Sequence, residues 1–220
     1  MSGNRIRIFL VDDHPLVRDW LSTLLREQKD FEVCGTAEDP PTALAGIAVA
    51  LPDIAIVDLS LKNGSGLDLI KDLRERHPEV QIIVLSMHEE IFFAERSMRA
   101  GARAYVTKRE STARIVEAIR EVRAGRVYAS AEIMARLTER MIGRGSEPSL
   151  TPGEALSDRE LDVYRMLGSG KGTREISEEL KISIKTVQAY CARIKEKLQI
   201  ESGTELVRHA VRWVEKREQI

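Results

Sequence analysis

The chain has little cysteine, little histidine, no long apolar run and no excess of charge of either sign. Cys34 and Cys191 are the only two cysteines among 220 residues. That excludes a disulfide framework and a cysteine-based metal cluster, and leaves two isolated reduced thiols. The four histidines (His14, His77, His88 and His209) are scattered, which argues against a zinc site. No apolar run approaches the roughly 18 residues needed to cross a bilayer. The first run, Ile8 to Val11, is short and stops at two aspartates, unlike the apolar stretch of a secretory signal. A cytoplasmic protein without membrane contact is therefore expected. Basic residues number 34 and acidic ones 35, a net charge of −1. No overall basic excess points to nucleic acid. An average over two domains can conceal a local patch, and regional totals alone do not show one. Residues 1–130 carry 18 basic against 20 acidic side chains, residues 131–152 three of each, and residues 153–220 13 against 12.

What is present is a change of texture along the chain. The length suits one large domain or two small ones, with enough chain to bury a core. From Ile6 to about Arg123, short β-branched runs alternate with helical patterns. The runs are Ile6–Val11, Phe31–Gly35, Ile54–Val57, Gln81–Leu85 and Ala104–Val106, which read as buried parallel strands. Between them, Leu16, Trp20, Leu24 and Leu25 recur at helix spacing, as do Leu67, Leu69, Ile70 and Leu73, and then Ile115, Val116, Ile119 and Val122. The alternation predicts an α/β domain, a doubly wound five-stranded parallel sheet, over residues 1–125. Residues 126–153 are expected to be a helical and flexible linker. Ala131–Ile142 reads as one helix, and Gly143–Gly153 is dense in Gly, Ser and Pro. Residues 154–220 show no strand pattern. They predict a small all-α domain of four helices, near 157–167, 173–180, 183–198 and 203–216, with Ser157, Thr173 and Ser183 as N-caps.

The first domain places acidic residues where strands end. Asp12 and Asp13 follow the first run and Asp58 follows the third. Ligands bind such sheets at the carboxyl ends of the strands, so three carboxylates converge on one rim. They repel one another unless a cation neutralises them, and a hard, oxygen-preferring ion such as Mg²⁺ suits them. Ser86 ends the fourth run and Lys108 follows the fifth. Three carboxylates, a hydroxyl and an ammonium suit phosphoryl transfer to a carboxylate. Each residue alone would be an ordinary polar strand end; five together on four strands are not.

Phe9-Leu-Val-Asp-Asp-His-Pro15, Val57-Asp-Leu-Ser-Leu-Lys-Asn-Gly-Ser-Gly66, Leu85-Ser86 and Ala102-Arg-Ala-Tyr-Val-Thr-Lys108 resemble a two-component receiver domain, over residues 5 to about 125. The resemblance implies a flavodoxin-like fold with Asp58 as phosphate acceptor. It implies Mg²⁺ held directly by Asp13, less directly by Asp12, and by Asp58 and the carbonyl of Ser60. It also implies Ser86 as the switch hydroxyl, Lys108 as the phosphoryl contact and Tyr105 as the aromatic whose rotamer reports the switch. Leu61-Lys62 stands where many receivers have Met-Pro. Arg109 stands where many have proline, which removes the usual reason for a cis peptide.

In the C-terminal part, Leu156, Leu161, Tyr164 and Leu167 form a core face, and two helices joined by a break at Lys181-Ile182 read as helix-turn-helix. On the second of these, Val187, Tyr190, Ile194 and Leu198 should face inward, with Cys191 beside them. Lys185, Gln188, Ala189, Ala192 and Arg193 lie opposite. Between Lys181 and Lys197 five basic residues oppose Glu196 alone, a local +4 suited to phosphates. A solvated charged face is the bland alternative. Leu156-Ser-Asp-Arg-Glu160, Gly170 to Ile176, Lys185-Thr-Val187 and Ile194-Lys-Glu-Lys-Leu198 resemble a LuxR-type helix-turn-helix. With the receiver, the whole is similar to a response regulator of the NarL/FixJ type. Gly172-Thr173 replaces a more usual Ser/Thr-Asn pair, and Tyr190 replaces a common histidine.

The resemblance implies a DNA-contacting set of Lys185, Thr186, Gln188, Ala189, Ala192, Arg193, Lys195 and Lys197. Gln188 would read adenine bidentately and Ala189 or Ala192 would touch a thymine methyl; the four basic residues would meet mainly phosphates. Leu206, Ala210, Val211 and Trp213 of the last helix would dimerise, unless they complete the domain core. The implied partners are a sensor histidine kinase, double-stranded DNA, RNA polymerase and a second copy when active. Two other classes compete. One is a phosphohydrolase with an aspartyl-phosphate intermediate, against which stands the absence of a second acid two residues after Asp58. The other is an interaction protein that never touches DNA.

Overall fold

The computed structural model describes residues 5–61, 64–87, 91–131, 133–135, 138, 152–180 and 182–218. The chain forms two compact units, residues 1–146 and 147–220. The expected Gly143–Gly153 linker, most of the Ala131–Ile142 helix and Lys181 lie outside the described residues, though 131, 133–135 and 138 are helical.

The first unit is built on β1 (Ile6–Val11), β2 (Phe31–Ala37), β3 (Ile54–Val57), β4 (Gln81–Ser86) and β5 (Ala104–Thr107). All neighbours are parallel, in the order β2-β1-β3-β4-β5. All four residues of β3 are buried, as is β4 after Gln81, because helices cover both faces of a parallel sheet. The helices are α1 (Pro15–Arg26), α2 (Pro40–Ala50), α3 (Gly66–Arg76), α4 (Ile91–Ala100) and α5 (Thr112–Arg123). Asp39 caps α2 through Thr42 N, and Ser65 caps α3 through Asp68 N. The chain moves outward from β1 to β2 and then crosses to β3 on the other side. The carboxyl ends of β1 and β3 therefore flank the topological switch point, where such sheets hold ligands.

Two expectations change here. Leu16 and Trp20 do not face the core; they are 83% and 43% exposed, while Leu25 is buried as expected, Leu24 packs against the core, and Leu21 joins them. The periodicity located the helix but mixed its two faces. The expected linker also begins too early at 126. Tyr105 N donates to Tyr128 O and Tyr128 N to Arg103 O, both at 3.0 Å. The Tyr128 hydroxyl donates to Glu117 at 3.0 Å and accepts from Arg114 at 3.2 Å. This segment covers the open edge of β5, whose backbone groups would otherwise lack partners.

The second unit comprises α6 (Pro152–Ala155), α7 (Asp158–Gly168), α8 (Thr173–Glu179), α9 (Ile184–Leu198) and α10 (Gly203–Glu218). A short helical turn thus precedes the four expected helices. Leu156, Leu161, Tyr164 and Leu167 are buried, with Val187, Ile194, Leu206 and Ala210. Ser157 and Ser183 are N-caps, accepting from Glu160 N and Thr186 N. Thr173 is not a cap; Gly172 is, and the Glu175 carboxylate accepts from its N–H at 2.8 Å. An extended glycine backbone with a glutamate three residues on supplies half of a capping box without a cap hydroxyl.

Candidate functional site

The ends of β1, β3, β4 and β5 assemble one polar cluster. Asp12, Asp13 and Asp58 are all buried, and ligand-capable atoms of Asp12, Asp13, His14 and Asp58 lie within 4.8 Å of one another. The sheet fixes their backbones: Asp58 N donates to Val11 O at 2.8 Å, and Asp12 N to Ala37 O at 3.1 Å. Lys108 enters from the far edge. Its N–H donates to Ser86 O at 2.7 Å, and its ammonium bridges Asp12 Oδ2 at 2.5 Å and Asp58 Oδ2 at 2.8 Å. Ser60 N donates to Asp58 Oδ1 at 3.3 Å. Ser86 and Tyr105 are buried. Asp12, Asp13, Asp58 and Lys108 meet on one rim, with the backbones of Ser60 and Ser86 tied to it.

Electrostatics at the cluster are unbalanced. Burial pushes the Asp58 carboxyl above its usual range, Lys108 opposes that rise, and Asp12 adds to it. Burial works against the charge of Lys108 as well, but Asp58 and Asp12 outweigh it and raise its pKa. One ammonium faces three carboxylates. Asp13 Oδ1 is buried and receives no hydrogen bond, although the His14 ring nitrogen approaches to 2.8 Å. A buried carboxylate oxygen without a hydrogen bond, beside two more carboxylates, fits a hard divalent cation.

Sequence reasoning missed two supports. The Arg18 guanidinium holds the Asp12 carbonyl at 2.5 Å, from the first turn and a half of α1. Gly66, at the start of α3, leaves no room for a side chain: an added Cβ would lie 2.1 Å from Asp58 O and 2.6 Å from Leu59 Cα. Gly66 was visible in the motif, but its close approach to the Asp58 backbone is a tertiary fact.

On the second unit, Lys185, Gln188, Ala189, Ala192 and Arg193 are exposed along α9, opposite buried Val187 and Ile194. Tyr190 and Leu198 are only partly buried, so the inward face is narrower than expected. Arg193 lies over the Tyr190 ring at 5.9 Å, and the Thr186 hydroxyl pairs with Ser183 at 2.8 Å. Lys195 is half-buried. Lys197 is committed elsewhere: its ammonium meets Glu160 Oε2 at 2.6 Å.

The expected dimer set is corrected in part. Leu206 and Ala210 are buried inside their own unit, and the Ala210 carbonyl would meet a Cβ at Gly168 at 2.6 Å. Side chains filling one unit's core cannot also form a surface between copies. Trp213 packs edge-on against Tyr164, 5.5 Å between ring centroids, and it and Val211 remain partly exposed.

Glu160 supports a prediction about pH. Burial pushes its carboxyl up, but hydrogen bonds from Lys197 and the Ser157 N–H outweigh this and hold it below the ordinary value of 4.5. A carboxyl depressed in the folded state contributes stability above its unfolded pKa and loses it as pH falls through the folded value. The second unit should therefore unfold at lower temperature as pH drops below 4.5. Glu160→Gln should lose part of that acid dependence in melts followed between pH 3 and 7. An unchanged acid profile in the variant would remove Glu160 from this role.

Comparison with known proteins agrees with this construction. Residues 8–120 match the response regulator receiver domain, and residues 154–210 match the luxR family of bacterial regulatory proteins. The fold and site thus define a signal-receiving module joined to a DNA-binding one. The chain belongs to the two-component response regulators with a LuxR-type helix-turn-helix, whose output is DNA binding and control of transcription. It is similar to the oxygen regulatory protein NreC of Staphylococcus carnosus, 32% identical over 211 residues, 94% of this chain and 97% of that protein. Among solved structures it is similar to the RcsB response regulator of Salmonella typhimurium, at 26% identity, 94% and 98% coverage and a TM-score of 0.56. It is also similar to RcsB seen as two dimers bound to two parallel DNAs, at 25% identity, 94% and 98% coverage and a TM-score of 0.57. Among the described residues no helix is long and apolar enough to cross a membrane.

Proposed function

We propose that a sensor histidine kinase phosphorylates this regulator on Asp58, and that phosphorylation controls dimerisation and operator binding. The observation that carries the reading is the convergence of Asp12, Asp13, Asp58 and Lys108, with the Lys108 ammonium already on Asp58 Oδ2 at 2.8 Å. Asp13, Asp58 and the carbonyl of Ser60 would hold Mg²⁺, with Asp12 acting less directly. The ion when bound supplies charge neutralisation for a phosphoryl group among carboxylates. Lys108 then exchanges part of its contact with Asp58 for a phosphoryl oxygen, and the Ser86 hydroxyl turns toward the same group. Tyr105 reorients, which biases the face that carries it toward the active state.

On the second unit, α9 enters the major groove. Lys185, Arg193 and Lys195 meet phosphates, Thr186 lies at the groove edge, and Gln188, Ala189 and Ala192 meet base edges. Two copies of the regulator, joined partly through Val211 and Trp213, match a two-fold operator and act with RNA polymerase. The output is binding, so substrate turnover is not expected.

A gel-shift titration with and without acetyl phosphate, on wild type and Asp58→Asn, tests this reading. Phosphodonor should shift the wild-type midpoint by tenfold or more and leave Asp58→Asn unmoved. Steady phosphate release on small substrates, or no DNA complex in any state, would overturn it. Within the same assay, Gln188→Ala should flatten the preference for A·T at one operator position. Unchanged relative affinities across operator variants would exclude Gln188 as a reader.

A further inference from the structure

Lys197 is the last cation of the basic run on α9, and charge alone would send it to a DNA phosphate. We infer that it instead positions the reading helix, through Glu160. This inference rests on the DNA-binding reading of α9.

Glu160 is 3% exposed and stands in the first turn of α7, on the scaffold of the unit. One carboxylate oxygen, Oε2, accepts from Ser157 N at 2.8 Å and from Lys197 Nζ at 2.6 Å. The same residue therefore closes the α7 cap and ties down the last turn of α9, 37 residues away. Only the carboxylate is buried; the Lys197 side chain is 43% exposed. Removing Lys197 would leave Glu160 with the Ser157 N–H alone among the described contacts, which favours keeping the pair. Both helix dipoles favour the arrangement, with the anion at a helix start and the cation at a helix end.

The rest of α9 gives the pair its work. Only Val187 and Ile194 are fully buried on this helix. These two anchors two turns apart define a line; Tyr190, Cys191 and Leu198 beside it are only partly buried, so rotation about that line is opposed less than displacement of the helix. At about 100° per residue, Lys197 lies roughly 120° around the helix from Lys185 and nearer the buried stripe than the exposed face. An ion pair at that flank opposes roll. Its loss would turn Gln188, Ala189 and Ala192 away from the base edges while leaving the phosphate-facing cations present.

The test uses the full-length chain treated with acetyl phosphate, and a duplex of about 30 base pairs enriched by the wild type from a random pool. Kd is measured against salt for Glu160→Gln, Lys197→Met, the double variant, Lys197→Arg and Arg193→Met. Phosphate contacts set the salt slope, about one unit per cation, whereas positioning does not. Glu160→Gln and Lys197→Met should each weaken binding to the selected duplex about tenfold with the salt slope unchanged. The double variant should be no weaker than the worse single one. Lys197→Arg should restore most of the affinity, and Arg193→Met should lower the slope by about one. Hydrogen exchange in the last turns of α9 should quicken in Glu160→Gln and Lys197→Met and not in Arg193→Met. A slope reduced by about one in Lys197→Met, with Glu160→Gln binding and exchanging like wild type, would overturn the inference. If no duplex is enriched, the DNA-binding reading falls, and the exchange comparison still decides whether Glu160 and Lys197 fix the helix.

Discussion

Lys108→Met is expected to destabilise the first unit by about 3 kcal/mol at neutral pH without divalent ion. That lies at the low end of the ~3–5 kcal/mol for removing one partner of a buried ion pair, because the His14 ring remains beside Asp12 and Asp13. The variant strips the only ammonium that the described contacts give to Asp12 and Asp58, both buried, with Asp13 alongside. Three carboxylates then face one another without compensation. Urea unfolding of the full chain, followed by a probe in the first unit, measures the loss. Two dependences identify the cause. The deficit should shrink as pH falls and the carboxylates protonate, since the raised Asp58 pKa favours the neutral form in the folded state. It should also shrink in millimolar Mg²⁺, which supplies the missing positive charge. A deficit independent of both pH and Mg²⁺ would mean that the lost methylene packing, not the charge, was responsible.

Gly66→Ala should slow phosphoryl uptake by Asp58 from acetyl phosphate about a hundredfold and cost roughly 1–3 kcal/mol of stability. The new methyl would sit 2.1 Å from Asp58 O and 2.6 Å from Leu59 Cα. Neither neighbour is a flexible side-chain tip, so the Asp58 backbone itself must move. Asp58 N is tied to Val11 O at 2.8 Å, and the carboxylate is held by Lys108 and Ser60 N. A shift near 1 Å breaks that alignment. The measurement is the initial rate of phosphoprotein formation in saturating Mg²⁺, beside a urea curve. A stable Gly66→Ala that phosphorylates at the wild-type rate would show that α3, rather than Asp58, yields.

Much of the site was legible in the sequence. Each run that became β1, β3, β4 or β5 was readable because a strand covered on both faces must be apolar throughout. Once the sheet is doubly wound, residues just past strand ends share a rim, so Asp12, Asp13, Asp58, Ser86 and Lys108 had to converge. The faces of helices were less legible. Leu16 and Trp20 fit the helical period as well as Leu21 and Leu25 do, and only packing separates them. Leu206 and Ala210 were equally suited to a dimer face and to a core. The choice belonged to α7, whose Gly168 admits the Ala210 backbone.

The sequence by itself determined the strands, their polar ends, the helix starts at Ser157 and Ser183, and the exposed polar face of α9. Those follow from composition and period, which act within a few residues of chain. Only the tertiary structure decided which long side chains pair. Lys197 meeting Glu160, Arg18 meeting the Asp12 carbonyl, Tyr128 closing the β5 edge and Gly66 touching the Asp58 backbone each join groups that local pattern does not link. A lysine or arginine reads alike in sequence whether it faces solvent, a phosphate or a buried carboxylate. Its partner is set by which buried polar group the completed fold brings within reach.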